Sequence, residues 1–165
     1  MPASMQGEMQ PAVYRFKFGD FEITNILDSK VVREGLHPSF GGERPTGEMQ
    51  ALARANRIDP QRYEHPFIPT VVNTGKELVL FDTGNGALRR EREQLRARLP
   101  DGRLVERLGH LGYRPEDVDV VVITHGHPDH IGGLTEGGRP KRWTRLPAPT
   151  ASIRDAMNIR SFRPW

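Results

Sequence analysis

An α/β fold is what this sequence predicts, and three observations predict it. Two pairs of short alternating segments, Tyr14 to Phe18 with Phe21 to Leu27 and Ile68 to Asn73 with Glu77 to Phe81, are each joined by a glycine-containing turn of hairpin length. Two stretches with leucines at helical spacing, Leu88 to Leu99 and Arg103 to Leu111, come next. A run of β-branched residues, Val120 to Ile123, then reads as a buried strand. A chain of 165 residues has room for one domain with a real core and not for two of ordinary size.

In the first hairpin, Gly19-Asp20 makes the turn, and the alternation places Phe16 and Phe18 on one side with Arg15 and Lys17 on the other. From Ser29 to Pro69 the pattern breaks up. Pro38, Gly41, Gly42, Pro45 and Gly47 mark loop, and Glu48 to Arg57 is expected to be a short helix with Thr46 as its N-cap. This stretch reads as a long insertion between strands, and its His37 and His65, without partners in motif spacing, read as ordinary loop histidines. The second hairpin turns at Thr74-Gly75-Lys76, after which Asp82 ends a strand and Gly84 and Gly86 permit a close turn. Leu88 to Leu99 is expected to be an exposed amphipathic helix, while the next helix offers Leu104, Leu108 and Leu111 to a core and leaves His110 in solvent.

The central strand feeds directly into Thr124-His125-Gly126-His127-Pro128-Asp129-His130-Ile131-Gly132-Gly133. Three histidines and one aspartate within six residues are metal-ligand chemistry. Histidines two apart, His125 and His127, can be turned onto one ion by a loop leaving a strand end, while Asp129 and His130 face a neighbouring position. Imidazole with carboxylate suits zinc, or cobalt, manganese or iron. Asp82 is expected to orient the histidine loop, because a metal-bound imidazole usually donates its other N–H to an acceptor.

From Thr124 to Gly133 the chain resembles the signature T-H-x-H-x-D-H-x-G-G of the metallo-β-lactamase superfamily, and Thr70 to Gly84 resembles that family's hairpin ending in an aspartate beneath the metal site. The resemblance covers residues from about 13 to 138. It implies the first half of a metallo-β-lactamase-type αβ/βα sandwich, in which two mixed sheets pack face to face with helices outside, the C-terminal half being missing. It also implies that His125 and His127 bind a first zinc and Asp129 and His130 a second. Asp129 would then be catalytic as well, steering a metal-bound hydroxide that hydrolyses a lactone, ester or phosphotriester. The early strands and the insertion look most like the quorum-quenching lactonase and methyl-parathion-hydrolase branches. In such branches the insertion helps shape the substrate pocket.

Composition narrows the partners. The overall charge of +3, less the +6 of residues 139–165, leaves the body at −3, so the basic character belongs to the last segment and nucleic acid is not expected as a partner. No apolar run reaches signal-peptide or membrane-span length, and a cytoplasmic protein with a small-molecule substrate is expected. The absence of cysteine excludes thiolate metal sites. Residues 139–165 form an Arg- and Pro-rich tail with no histidine, so further metal ligands of that type are not expected there. The abrupt change at 139 implies a lost reading frame or a truncated copy, with a functional basic tail as the competing reading. The chain would then be an impaired hydrolase, or else a non-catalytic remnant with an incomplete metal site. Self-association is expected through a sheet face bearing Phe16, Ile23, Val72, Leu80 and Val121.

Overall fold

The structure is a computed structural model and describes residues 11–87, 100–136, 139–140 and 143. In chain order its elements are β1 (Val13–Phe18), β2 (Phe21–Ile26), β3 (Ser29–Arg33), α1 (Thr46–Ala55), β4 (Tyr63–Phe67), β5 (Thr70–Asn73), β6 (Leu78–Phe81), α2 (Leu104–His110), β7 (Val120–Val122), α3 (Pro128–Ile131), β8 (Thr135–Glu136) and β9 (Arg139–Pro140). The main sheet has the order β1-β2-β5-β6-β7, antiparallel except for β7, which joins β6 in parallel. Parallel neighbours require a crossover, and the segment carrying α2 supplies it. Both expected hairpins are present: Phe18 pairs with Phe21 across the turn, and Asn73 with Leu78.

Register sorts the side chains between two faces. Thr24, Val71, Leu80 and Val121 stand in one row and are buried, together with Ile26 and Leu78, under Leu104 and Leu108 of α2, Val118, Ile131, Leu134 and Trp143. The adjacent row, Phe16, Ile23, Val72, Val79 and Val120, points to the opposite face, which is not fully covered. The expected grouping of Leu80 and Val121 with Phe16, Ile23 and Val72 is therefore corrected, because neighbouring rows of a pleated sheet face opposite ways. The same alternation explains why only Val121 of β7, an edge strand of the main sheet, is fully buried. As expected, Arg15 stands opposite Phe16 and Phe18 in direction, and it reaches Thr24 Oγ1 at 2.9 Å on the α2 side.

The stretch from Ser29 to Pro69 holds more order than its breaks suggest. β3 and β4 form a two-stranded antiparallel sheet, so His65 lies on a strand facing Val31 and not in a loop. Thr46 is the first residue of α1, without capping its N-terminus, and its hydroxyl instead meets His37 Nδ1 at 3.2 Å. α2 forms where expected, with His110 exposed. The amphipathic helix expected over Leu88 to Leu99 lies outside the described residues, as does the tail from 144 onward; Trp143 is buried, its Nε1–H donating to the Gly133 carbonyl at 3.2 Å. Among the described residues no helix is long and apolar enough to cross a membrane.

Asp28, fully buried where β2 runs on into β3, ties three segments together. Its carboxylate accepts from the Asn85 and Leu104 backbone N–H groups, each at 2.9 Å, and from the Ser29 hydroxyl at 3.0 Å. Gly84 and Gly102 pack against it so closely that a Cβ at either would collide with the carboxylate. Burial pushes the Asp28 carboxyl above the usual carboxylate range, against the opposing pull of the bonds from Asn85, Leu104 and Ser29. Asp28→Ala is expected to cost about 3 kcal/mol or more, because two buried N–H donors lose their acceptor. With the folded pKa raised, the stability contributed by this proton is fully present below the unfolded value and is lost as pH rises through the folded one. The stability of the wild type relative to D28N, measured by denaturation across the acidic to neutral range, is therefore expected to fall as pH rises; a difference that grows with pH would show the charged form to be the stabilised one.

Candidate metal centre

The site sits at the carboxyl ends of β6 and β7. These parallel neighbours end side by side, Phe81 beside Val122, so the segments leaving them start from adjacent points. Asp82 leaves β6 in the left-handed region at φ 60°, a conformation that aspartate tolerates better than most residues. Its N–H donates to the Val122 carbonyl at 2.8 Å, and its carboxylate turns toward the loop after β7. There Asp82 accepts from the Thr124 N–H at 2.8 Å, from the Thr124 hydroxyl at 2.9 Å and from His130 Nδ1 at 2.7 Å. Asp82, expected from the sequence to orient the histidine loop, thus accepts from the first and the last residue of that loop.

A second set of contacts locks the two loops. His130 carbonyl oxygen accepts from both the N–H and the hydroxyl of Thr83, at 2.8 and 2.9 Å, and Thr83 Oγ1 accepts from the Gly133 N–H at 3.1 Å. A Cβ on Gly133 would collide with the Thr83 carbonyl, and one on Gly86 with the Gly132 carbonyl. Gly126, between the first two histidines, has open space around it. Thr83 and Asp28 are the site-supporting residues that sequence reasoning missed. Asp28 sits in a polar Asp28-Ser29-Lys30 break between apolar pairs and offers no signal of burial, and Thr83 offers none beyond its place beside Asp82.

The structure brings all four expected ligands together as two pairs. His125 Nε2 and His127 Nδ1 face each other at 2.9 Å, and His130 Nε2 faces Asp129 Oδ2 at 3.0 Å. The rings of His125 and His130 lie with centroids 3.8 Å apart, so the pairs are neighbours. Two nitrogens bound at about 2.0–2.1 Å to one tetrahedral ion stand about 3.3 Å apart, so the His125–His127 pair needs only a few tenths of an ångström to open onto an ion. At His130, Nδ1–H donates to Asp82, leaving the Nε2 lone pair against the oxygen of Asp129. Such a contact needs a positive centre between the two atoms, either a proton or a metal ion. Desolvation, then the neighbouring imidazoles His130 and His127, hold His125 below the usual histidine range, which keeps it neutral and able to ligate near neutral pH. The donor set thus fits divalent metal, two donors to each position. Among the described residues no three His, Asp or Glu side chains are placed to hold one ion.

Beside the Asp129–His130 pair opens a cavity of about 140 Å³, lined by His65, Pro66, Phe67, Ile68 and Pro69 together with Asp82. His65 and Phe67, two apart on β4, present their rings to the same side at a centroid distance of 4.8 Å, and Tyr63 and Phe40 continue this aromatic wall. Desolvation lowers the His65 pKa, with Arg33 acting in the same direction and Asp129 against it, so the imidazole is neutral.

Asp82→Asn is expected to weaken zinc binding by about 10–100-fold, read by competition with a chromogenic chelator, because an amide replaces the acceptor that orients His130 and Thr124. Gly133→Ala is expected to lower the melting temperature sharply while Gly126→Ala leaves it nearly unchanged; equal effects would show that the loops are not interlocked as described.

Residues 69–140 match the sequence pattern of the Metallo-beta-lactamase superfamily. A 33-residue stretch is 61% identical to mouse (Mus musculus) Metallo-beta-lactamase domain-containing protein 1, covering 20% of this chain and 13% of that protein. Among solved structures, AidC, a dizinc quorum-quenching lactonase, is similar in fold with a TM-score of 0.67 and 24% identity over 82% of this chain. The hydrolase AbOPH, of the beta lactamase superfamily, is similar with a TM-score of 0.63 and 26% identity over 81% of this chain. The chain spans 43% of the length of AidC and 42% of that of AbOPH. With the histidine loop, the aspartate beneath it and the fold all agreeing with these matches, the chain resembles the metallo-beta-lactamase superfamily over residues 69–140.

Proposed function

We propose that this chain carries the metal-binding part of a zinc-dependent hydrolase acting on a lactone, ester or phosphotriester, with a cytoplasmic location as part of the same reading. The observation that carries it is the pair of adjacent two-donor positions, oriented by Asp82 and opening onto a cavity of about 140 Å³. That volume is close to one that holds a single six-membered ring. His125 with His127, and Asp129 with His130, would hold the two ions. When bound, the ions would supply Lewis acidity, polarising a carbonyl or phosphoryl oxygen and bringing the pKa of water toward about 7. Asp82 keeps the proton on His130 Nδ1 and so presents Nε2 toward the site, while Asp129 holds its carboxylate at the mouth of the cavity. His65 and Phe67 furnish a flat, neutral wall on which the substrate ring or its leaving group would lie. The lactone in this reading is supported by the likeness of fold to AidC, and the wider hydrolase class by AbOPH.

A second reading, a non-catalytic remnant with an incomplete metal site, draws on the finding that no three described ligand groups surround one point. Two donors leave each ion open to solvent and easily stripped. Metal content and hydrolysis of a panel of lactones, esters and phosphotriesters separate the two. The hydrolase reading expects turnover that a chelator removes and added zinc restores, with Asp129→Ala losing more than about 100-fold. His65→Ala is expected to raise KM about 10-fold for substrates bearing a ring, with kcat little changed. Metal held by fewer than two equivalents, with no turnover of any panel member, would favour the remnant.

A further inference from the structure

The two faces of the β3–β4 ribbon differ in chemistry. Its register sets Val31 across from His65 and Arg33 across from Tyr63, so Arg33 shares one face with the rings of Tyr63, His65 and Phe67. The opposite face settles its own charges, Glu64 pairing with Lys30 at 2.7 Å and with Arg62 at 2.9 Å. Alternation turns Arg33 away from that carboxylate. Its Nη1 meets Ser39 Oγ at 3.5 Å, a long contact, and its Nε is buried with no hydrogen-bond partner among the described residues. At the other end of the same face, His65 and Phe67 line the cavity beside Asp129 and His130. After desolvation, the charges that act on the His65 imidazole are those of Arg33 and Asp129, in opposite directions, so it stands within electrostatic reach of both.

We infer, on the basis of the hydrolase reading above, that Arg33 is a specificity-determining residue: it binds a carboxylate that the ester or lactone substrate carries remote from the scissile bond. Spacing is the first argument. Strand residues advance about 3.3 Å each, so the position across from Tyr63 lies about 7 Å along the ribbon from His65 and about 13 Å from Phe67. A substrate whose reacting group occupies the cavity reaches that position only by crossing the rings, a flat apolar surface that suits a hydrocarbon or aryl spacer. Charge is the second. A guanidinium with part of its donor set out of water is stabilised by an anion, and one positive charge answers to a monoanion. Shape is the third, because the planar fork of a guanidinium matches the two oxygens of a carboxylate. The ribbon would thus select substrates with an acid group at one end and the reacting group at the other.

The test uses the whole 165-residue chain loaded with zinc. The binding probe is hexanoate with a phenyl group on its far carbon, ring and carboxylate about 10 Å apart, and its neutral twin is the primary amide of the same acid. Calorimetry is expected to show the acid bound at least about 10-fold more tightly than the amide, with added salt eroding the difference. Arg33→Gln is expected to remove the difference, Arg33→Lys to keep part of it, and His65→Ala to weaken both compounds alike, with thermal unfolding checking that each variant is folded. Equal affinity for acid and amide, binding of neither, or a preference for the acid that persists in R33Q, as it would if zinc held the carboxylate, would each overturn the inference. Turnover separates this subsite from the hydrolase reading. With phenyl esters of a monocarboxylic and of a dicarboxylic acid, R33Q is expected to lower the kcat/KM ratio of the charged to the neutral ester about 10-fold. Hydrolysis of both esters with that ratio unchanged would overturn the subsite and leave the hydrolase, whereas an Arg33-dependent preference in binding without turnover would support the subsite and remove the hydrolase.

Discussion

The arrangement of the site depends on one carboxylate, that of Asp82. Two parallel strands end together, and the loops that leave them would separate if nothing bridged the gap. Asp82 bridges it with three acceptances, from the Thr124 N–H, the Thr124 hydroxyl and His130 Nδ1, while its own N–H is bonded to Val122. The first and last members of the histidine loop are thereby referred to the same side chain. His130 also receives its tautomer from this contact, since a carboxylate can only accept and the ring must donate from Nδ1.

That bridge works because what lies behind it is rigid. Thr83 fastens the His130 and Gly133 backbone to the strand end, and the glycines there allow backbones to approach where any side chain would intrude. One step further back, Asp28 accepts from the Asn85 and Leu104 N–H groups, so the turn after β6 and the start of α2 are fastened to the same buried group. Burying this carboxylate carries a desolvation cost that its hydrogen bonds oppose, an arrangement that favours one loop geometry over alternatives at some expense of stability. Of the four candidate ligands His125 is exposed while His127, Asp129 and His130 are half-buried, and His130 is held from beneath by Asp82, as an oriented ligand requires.

The sheet divides its labours between faces. One face, with Val71, Leu80 and Val121, builds the core with α2 and Trp143 and fixes where β6 and β7 end. The other carries a row of apolar side chains with no polar partner to satisfy, and its burial does not bear on the placement of the ligands. Stability and site geometry therefore rest on the α2 side.

Much of the fold was legible in the sequence. Alternation marked both hairpins, leucine spacing marked α2, and the β-branched run ending in H-x-H-x-D-H marked the strand and the four ligand candidates, because local period and local donor chemistry are written in consecutive residues. Tertiary structure alone decided what depends on distant partners. It placed Leu80 and Val121 on the α2 face, since facing is set by register across strands that no single strand encodes. It made a strand of the segment holding His65, because pairing with β3 outweighed a pattern interrupted by prolines, and so brought that histidine to the cavity beside Asp129. It buried Asp28 at the junction of segments 57 and 76 residues away in sequence, a role visible only once all three meet. The residue types of the four candidate ligands are a property of the chain, but their pairing at 2.9 and 3.0 Å is a property of the fold, in which His130 is held by a hydrogen bond to Asp82 across 48 residues.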